Sequence, residues 1–160
     1  MNKKVLDAIN EQIKHELFSA YLYLSMSAHF EASGLPGFAK WTRMQAQEET
    51  EHAMKFFDYV NERGGNVILK AIEQPQAEFG TPLSVFEAIL KHEQKVTGLI
   101  NDLYAIALEE KDYASQVMLH WFIEEQVEEE SNSQAIVDKL SMAEGNKSAL
   151  MQMDHLLGAR

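Results

Sequence analysis

Glu49 and His52 stand three residues apart in a long helix-forming stretch, a spacing that brings both side chains onto one helix face and within reach of one ion. Gln126 and Glu129 repeat the spacing further along, and Glu16 and Glu93 each stand alone near the middle of a similar stretch. All fall on positions that the helical repeat assigns to a buried seam. An ionised carboxylate in an apolar core costs several kcal/mol unless it is paired or binds a metal. An isolated E-x-x-H pattern is common and carries little meaning. Four seam carboxylates at one level of four helices describe a single shared site, because clustered carboxylates repel one another without a cation. One Glu from each of two helices, with a ligand pair from each of the other two, is a known way to hold two metal ions in a helical bundle. Oxygen donors with one imidazole suit Fe, Mn or Zn, and redox chemistry with oxygen makes iron the natural reading. The alternative is a metal-free network of buried Glu, Gln, Tyr and His.

Four helices must position these residues. Their core-facing stripes run through Ile9, Ile13, Glu16, Ala20 and Tyr23; through Phe38, Thr42, Gln45, Glu49, His52 and Phe56; through Phe86, Leu90, Glu93, Thr97 and Ile100; and through Leu119, Phe122, Gln126, Glu129, Ser133 and Ile136. The three prolines, Pro36, Pro75 and Pro82, all lie between the stripes. The pattern predicts helices over 4–32, 38–63, 82–109 and 113–142, with a short fifth helix over 147–156. Thr81 is the expected N-cap of the third helix with Pro82 at its first position; Ser84 with Glu87 is the alternative capping box. The whole chain, 1–160, reads as one domain.

Loop lengths set the topology. The first and second helices, and likewise the third and fourth, are joined by short turns and must be antiparallel. The connection over 66–81 can span roughly 50 Å when extended, and a helix of this size is roughly 40 Å long. The connection can therefore cross the whole bundle and leave the second and third helices parallel. The expected fold class is all-α, a four-helix bundle with one long crossover and a short fifth helix.

Composition narrows the function classes. The chain has 160 residues, 25 Asp and Glu against 14 Lys and Arg, a net charge of -11 and no cysteine. Disulfides, cysteine-based metal sites and thiol nucleophiles are excluded. The acidic balance argues against nucleic acid or an anionic membrane as partner. No apolar run approaches the roughly 18 residues of a membrane span. A cytoplasmic protein is the expectation.

Two further features adjoin the seam. Residues 124–130 hold five glutamates, and Glu48 adjoins Glu49. Most such runs are solvated helix faces, but Glu48, Glu125 and Glu128 flank seam residues and could bind another cation beside the pair. Tyr23 lies two turns beyond Glu16 on the same face, placed to donate to a ligand or simply to fill the core. Trp121 is expected to pack near the site.

Taken together, Glu16, Tyr23, Glu49, His52, Glu93, Gln126 and Glu129 make the chain resemble the bacterial non-haem ferritins over essentially its full length. The resemblance implies a ferritin-like bundle. Glu16, Glu49 and His52 would hold one iron; Glu49 would bridge to a second, completed by Glu93 and Glu129 with Gln126 close by. It also implies a third iron site at Glu48, Glu125, Glu128 and Glu129. Its further implications are a 24-mer homo-oligomeric shell, Fe(II) oxidation with oxygen or peroxide, and storage of ferric mineral. Haem-containing relatives carry a second E-x-x-H, where this chain has Gln126 and Glu129, and a haem-ligating Met, where it has Thr50; no haem is expected. His15, His29, His92, His120 and His155 fall off the seam and read as surface or interface residues. The competing classes are a di-iron peroxidase or oxidase acting on another substrate and a purely structural bundle; a shell would separate from both by size.

Overall fold

The computed structural model describes residues 1–160 and contains five helices, α1 (Lys3–Ala32), α2 (Pro36–Glu62), α3 (Pro82–Glu109), α4 (Tyr113–Met142) and α5 (Lys147–Gly158). No helix is long and apolar enough to cross a membrane. The helix starts follow local chemistry. Asn2, Thr81, Asp112 and Asn146 cap α1, α3, α4 and α5, each accepting from a backbone amide of the first turn. Thr81 and Pro82 open α3 as expected, and Ser84 serves inside the first turn rather than as the cap. Helix α2 starts at Pro36, two residues earlier than the apolar pattern indicated, because proline fits the first helical position.

Two apolar clusters fill the bundle, one at each end. Val5, Ile9 and Ile13 of α1 meet Phe56 and Val60 of α2, Ile100 and Leu103 of α3, and Leu119 and Phe122 of α4 at one end. Met26 and Phe30 of α1 meet Phe38 and Trp41 of α2, Phe86 and Ile89 of α3, and Ile136 and Leu140 of α4 at the other. The start of α1 therefore lies beside the end of α2, the end of α3 and the start of α4. Helices α1 and α4 run one way, α2 and α3 the other, as the crossover requires. The buried face of α3 is broader than its predicted stripe: Ile89, Val96 and Leu103 are buried, whereas Leu90, Thr97 and Tyr104 are only partly so.

The crossover is tied along α1. Asn10 accepts from the Ile68 amide (2.8 Å) and donates to the Asn66 carbonyl (3.2 Å) near one end. Ser25 donates to the Gln76 carbonyl (2.6 Å), and His29 pairs with the Gly80 carbonyl (3.0 Å) near the other. From Asn10 to His29 the helix rises roughly 28 Å, so the segment spans most of the bundle. It contains neither helix nor strand.

Helix α5 is docked on the start of α2 and extends to Gly158, past the predicted 156. Leu35, the N-cap of α2, offers no side-chain acceptor. The missing cap comes from α5: the Phe38 amide donates to Asp154 Oδ1 at 3.0 Å. The approach is close enough that a β-carbon on Gly37 would lie 1.7 Å from the Asp154 carbonyl oxygen. Lys40 donates to the Gly158 carbonyl at 2.9 Å and closes the other end of the contact. Replacing Asp154 with Ala is expected to weaken α5 docking by about 1–2 kcal/mol. Amides of α5 should then exchange with solvent faster while those of α1–α4 hold; unchanged α5 exchange would mean that the cap does not hold this helix.

Candidate metal centre

Between the two apolar clusters lies a layer of buried polar side chains: Gln12 and Glu16 on α1, Gln45, Glu49 and His52 on α2, Glu93 on α3, and Gln126 and Glu129 on α4. Each sits mid-helix, and each helix carries apolar residues of one cluster before the layer and of the other after it. Glu16, Glu49 and His52 each place a ligand atom within 4.8 Å of the other two, close enough to surround one ion. Glu93 and Glu129 come from the opposite pair of helices.

Neutral donors hold these carboxylates. Gln12 donates to Glu16 Oε1 at 2.7 Å. The Tyr23 hydroxyl donates to Glu93 Oε1 at 2.5 Å, so Tyr23 is a hydrogen-bonding neighbour of the site as well as a core residue. Gln126 Nε2 donates to Glu93 Oε2 at 3.1 Å, and Gln45 Nε2 donates to Glu129 Oε2 at 2.9 Å. No lysine or arginine lies inside the layer. His52 Nδ1 is 3.7 Å from Glu49 Oε2, beyond hydrogen-bond range. Its ring is oriented by edge contacts with Trp121 (centroids 5.3 Å apart) and Phe122 (6.1 Å). Trp121 thus packs beside the site as expected.

Removal from water dominates the electrostatics. Burial, then the nearby Glu49, pushes the Glu16 carboxyl well above the usual range. Burial and Glu93 do the same to Glu49. Glu93 is raised by burial and partly relieved by Tyr23 and Gln126. Glu129 is pushed up to about 7 by burial and then by Glu93. Burial and Glu93 also hold the Tyr23 phenol well above its ordinary value, so it stays a donor. Metal-free carboxyls here retain protons that carboxyls in water would lose. Oxygen donors gathered around one imidazole fit a divalent cation, whose charge would offset their mutual repulsion.

The two helix pairs repeat one layout. Glu16, Glu49 and His52 are each followed 77 positions later by Glu93, Gln126 and Glu129. Because α1 is antiparallel to α3 and α2 to α4, a half-turn across the bundle axis through the layer relates the two sets.

Glu48 and Glu125 are half-buried and Glu128 is exposed, on flanks that adjoin the layer. Glu48 is held by Arg160, whose Nη2 lies 2.7 Å from both carboxylate oxygens. Glu130, which continues the acidic run, accepts from Thr97 Oγ1 at 2.5 Å. Gln12, Gln45, Thr97 and Arg160 are partners that the sequence reading assigned no role. Gln12 had a usable signal, since it stands four residues before the seam glutamate it serves, whereas Gln45 serves Glu129 on another helix. Arg160 had none. Among the off-seam histidines, His92 is tucked between α1 and α3 against Ser19 Oγ (2.8 Å), and burial lowers it to about 4. An apolar groove lined by Thr81, Leu83, Leu140 and Leu150 shares no residue with the centre.

A ferritin-like domain matches residues 6–143. A bacterial non-heme ferritin of Bacteroides fragilis (strain 638R) is 44% identical over all 160 residues, which cover 99% of that protein. One from Staphylococcus aureus (strain USA300) is 37% identical over the whole chain and 96% of its own length. Among solved structures, an open pore ferritin from the hyperthermophilic archaeon Archaeoglobus fulgidus superposes with a TM-score of 0.99 at 47% identity, covering 100% of this chain and 99% of that one. An engineered closed form of the A. fulgidus protein gives 0.99 at 46%, covering 100% and 98%.

Raised carboxyl pKa values stabilise the metal-free fold below the unfolded value of 4.5, and that contribution is lost as pH rises through the folded values, about 7 for Glu129. The metal-free protein is therefore expected to melt at lower temperature at pH 8 than at pH 5.5. Zn(II), a redox-inert probe, should displace more protons at pH 6 than at pH 8. Calorimetric titration in buffers of different ionisation enthalpy measures that release. Equal proton release at both values would show that the layer is not protonated as described.

Proposed function

This chain belongs to the ferritin family, and from that premise we propose that the buried layer is its ferroxidase centre, with Glu16, Glu49, His52, Glu93 and Glu129 as the iron-binding residues. Its function is iron storage coupled to oxidation of Fe(II). The observation that carries the assignment of residues is the Glu16–Glu49–His52 cluster, buried at mid-bundle with ligand atoms within 4.8 Å of one another.

Fe(II) is the substrate. Glu16, Glu49 and His52 bind one ion, and Glu49 reaches toward a second, held by Glu93 and Glu129 with Gln126 beside them. The incoming ions displace the protons that burial keeps on these carboxyls. Carboxylate charge then favours the ferric state over the ferrous one and lowers the cost of electron loss. Each Fe(II) gives up one electron to dioxygen or peroxide, and two protons accompany the two electrons to the oxidant. Tyr23 keeps its hydroxyl proton and orients Glu93; Gln126 and Gln45 orient Glu93 and Glu129. Trp121 and Phe122 keep the His52 ring in place and exclude water from that side.

The reading extends to a third, weaker cation position at Glu48, Glu125, Glu128 and Glu129. Adjacent helical residues point about 100° apart, so Glu125 and Glu128 flank Gln126 and Glu129 rather than share their face. A homo-oligomeric shell of 24 chains is part of the same reading. It is supported by near-complete overlap with ferritin relatives and by exposed apolar side chains such as Tyr21, Leu24 and Ile72 along α1 and the crossover. Non-haem iron chemistry is supported by Thr50 beside Glu49 and by the absence of a second E-x-x-H. A cytoplasmic setting is supported by the cysteine-free composition, which suits a reducing compartment.

His52→Ala and Glu93→Ala are each expected to slow the first fast oxidation of Fe(II) by at least about tenfold. Both should leave assembly intact, since both side chains lie inside one chain's bundle, and Glu93→Ala also relieves carboxylate repulsion. Stopped-flow oxidation and size-exclusion chromatography read the two quantities; unchanged oxidation in both variants would remove these residues from the site. Glu125→Ala with Glu128→Ala should spare the first oxidation and alter the iron bound per subunit or later turnovers. No change in either would reduce these glutamates to a solvated face.

A further inference from the structure

Arg160 lies just past α5, far in sequence from the centre, yet its side chain runs along one face of α2 beside it. The guanidinium carbon sits 5.2 Å from the centre of the Trp41 ring. One nitrogen donates to Gln45 Oε1, and the other to both oxygens of Glu48 at 2.7 Å. Trp41, Gln45 and Glu48 are spaced four and three apart, so they line one helix face and form a ready-made track for a planar cation. The placement is anchored rather than incidental. Asp154 caps α2, Lys40 holds the Gly158 carbonyl, and Gly158 lies against Gly37, all within six residues of Arg160.

We propose that Arg160 is an internal competitor for the cation position outside the di-iron pair: it occupies Glu48 until a divalent cation displaces it. The inference rests on the third-site reading given above. Nη2 spans both oxygens of Glu48 while Nη1 takes Gln45, and while docked the guanidinium neutralises the ligand a cation would use. Glu48 and Arg160 are each about one-third exposed, with side-chain exposures of 38% and 32%. Their attraction is therefore screened, and the guanidinium delays binding without blocking it. Gln45 is the link to the centre, since its amide nitrogen donates to Glu129 while its oxygen accepts from Arg160. Loss of Arg160 leaves that nitrogen facing a carboxylate, so the pair itself is spared. The device separates the two classes of position: the buried pair fills first, and the flank fills only once cation concentration is high enough to displace the arginine.

The test is calorimetric titration of the metal-free assembled protein with Zn(II). Wild type should bind two ions tightly and a third more weakly. Arg160→Ala should tighten the third by about two- to fivefold, the worth of a partly exposed ion pair, and leave the first two unchanged. Arg160→Lys, which keeps the charge but has no second nitrogen to hold Gln45 and Glu48 together, should fall between, and it carries the test if Arg160→Ala fails to assemble. In a Glu48→Gln background, removing Arg160 should have no effect. Unchanged third-ion affinity in Arg160→Ala, or equal tightening in the Glu48→Gln background, would overturn the proposal. If the weak event then vanishes in Glu125→Ala/Glu128→Ala, the third site stands without its arginine. If wild type takes up no third ion and that double variant changes nothing, the third site falls and this proposal with it.

Discussion

Burial of like charge is the constraint on which this bundle depends. Four glutamates share the middle of an otherwise apolar core, and no lysine or arginine enters to balance them. Everything near them follows from that. Uncharged amides and a phenol supply the hydrogen bonds, because they can hold a carboxylate in place without occupying the role of the cation. Gln12, Gln45, Gln126 and Tyr23 each take one oxygen of a particular glutamate. The apolar core is divided into two clusters because no greasy layer can cross the level of the carboxylates. The fold tolerates a destabilising layer since the clusters at either end are each built of large, fully buried aromatics. Phe30 stacks on Phe38 at one end (5.1 Å), and Phe56 on Phe122 at the other (3.9 Å).

What the sequence made legible was the part governed by local periodicity. Glu49 and His52 declare a shared face by spacing alone, and Glu16, Glu93 and Glu129 interrupt apolar stripes that would otherwise be regular. Thr81 before Pro82 marks a helix start that any context would preserve. The parallel placement of α2 and α3 followed from chain length, since the segment between them could reach and a tight turn could not. The illegible part was set by contacts between distant segments. Asp154 caps a helix 116 residues away, and nothing around Asp154 marks it as a cap. Arg160 looks like a solvated basic residue until α5 is seated on α2. Gln45 was visible on the seam, but a lone amide there does not say which carboxylate it serves.

The crossover has a role beyond connectivity. By lying along α1 and tying to it through Asn10, Ser25 and His29, it covers the outer side of the helix that carries Glu16. A flexible loop of that length would leave α1 packed on two sides only. The pinned segment instead gives α1 a third packed side.

The half-turn relating Glu16, Glu49 and His52 to Glu93, Gln126 and Glu129 is exact in sequence offset but broken in chemistry. Both triplets contribute two carboxylates and one uncharged side chain, so the net charge offered by each half is equal. The uncharged member, however, occupies different slots: an imidazole at the outer slot of one half, an amide at the inner slot of the other. A symmetric set would bridge the two ions twice and make them interchangeable. Here Glu49 has no carboxylate counterpart, since Gln126 is an amide whose nitrogen donates to Glu93. The layer is therefore chemically lopsided, with an imidazole beside Glu16 and Glu49 and an amide beside Glu93 and Glu129. Two chemically identical guests seated one on each triplet would meet different donors, and so would differ in affinity, in the ease with which each gives up its electron, and in the readiness with which each departs.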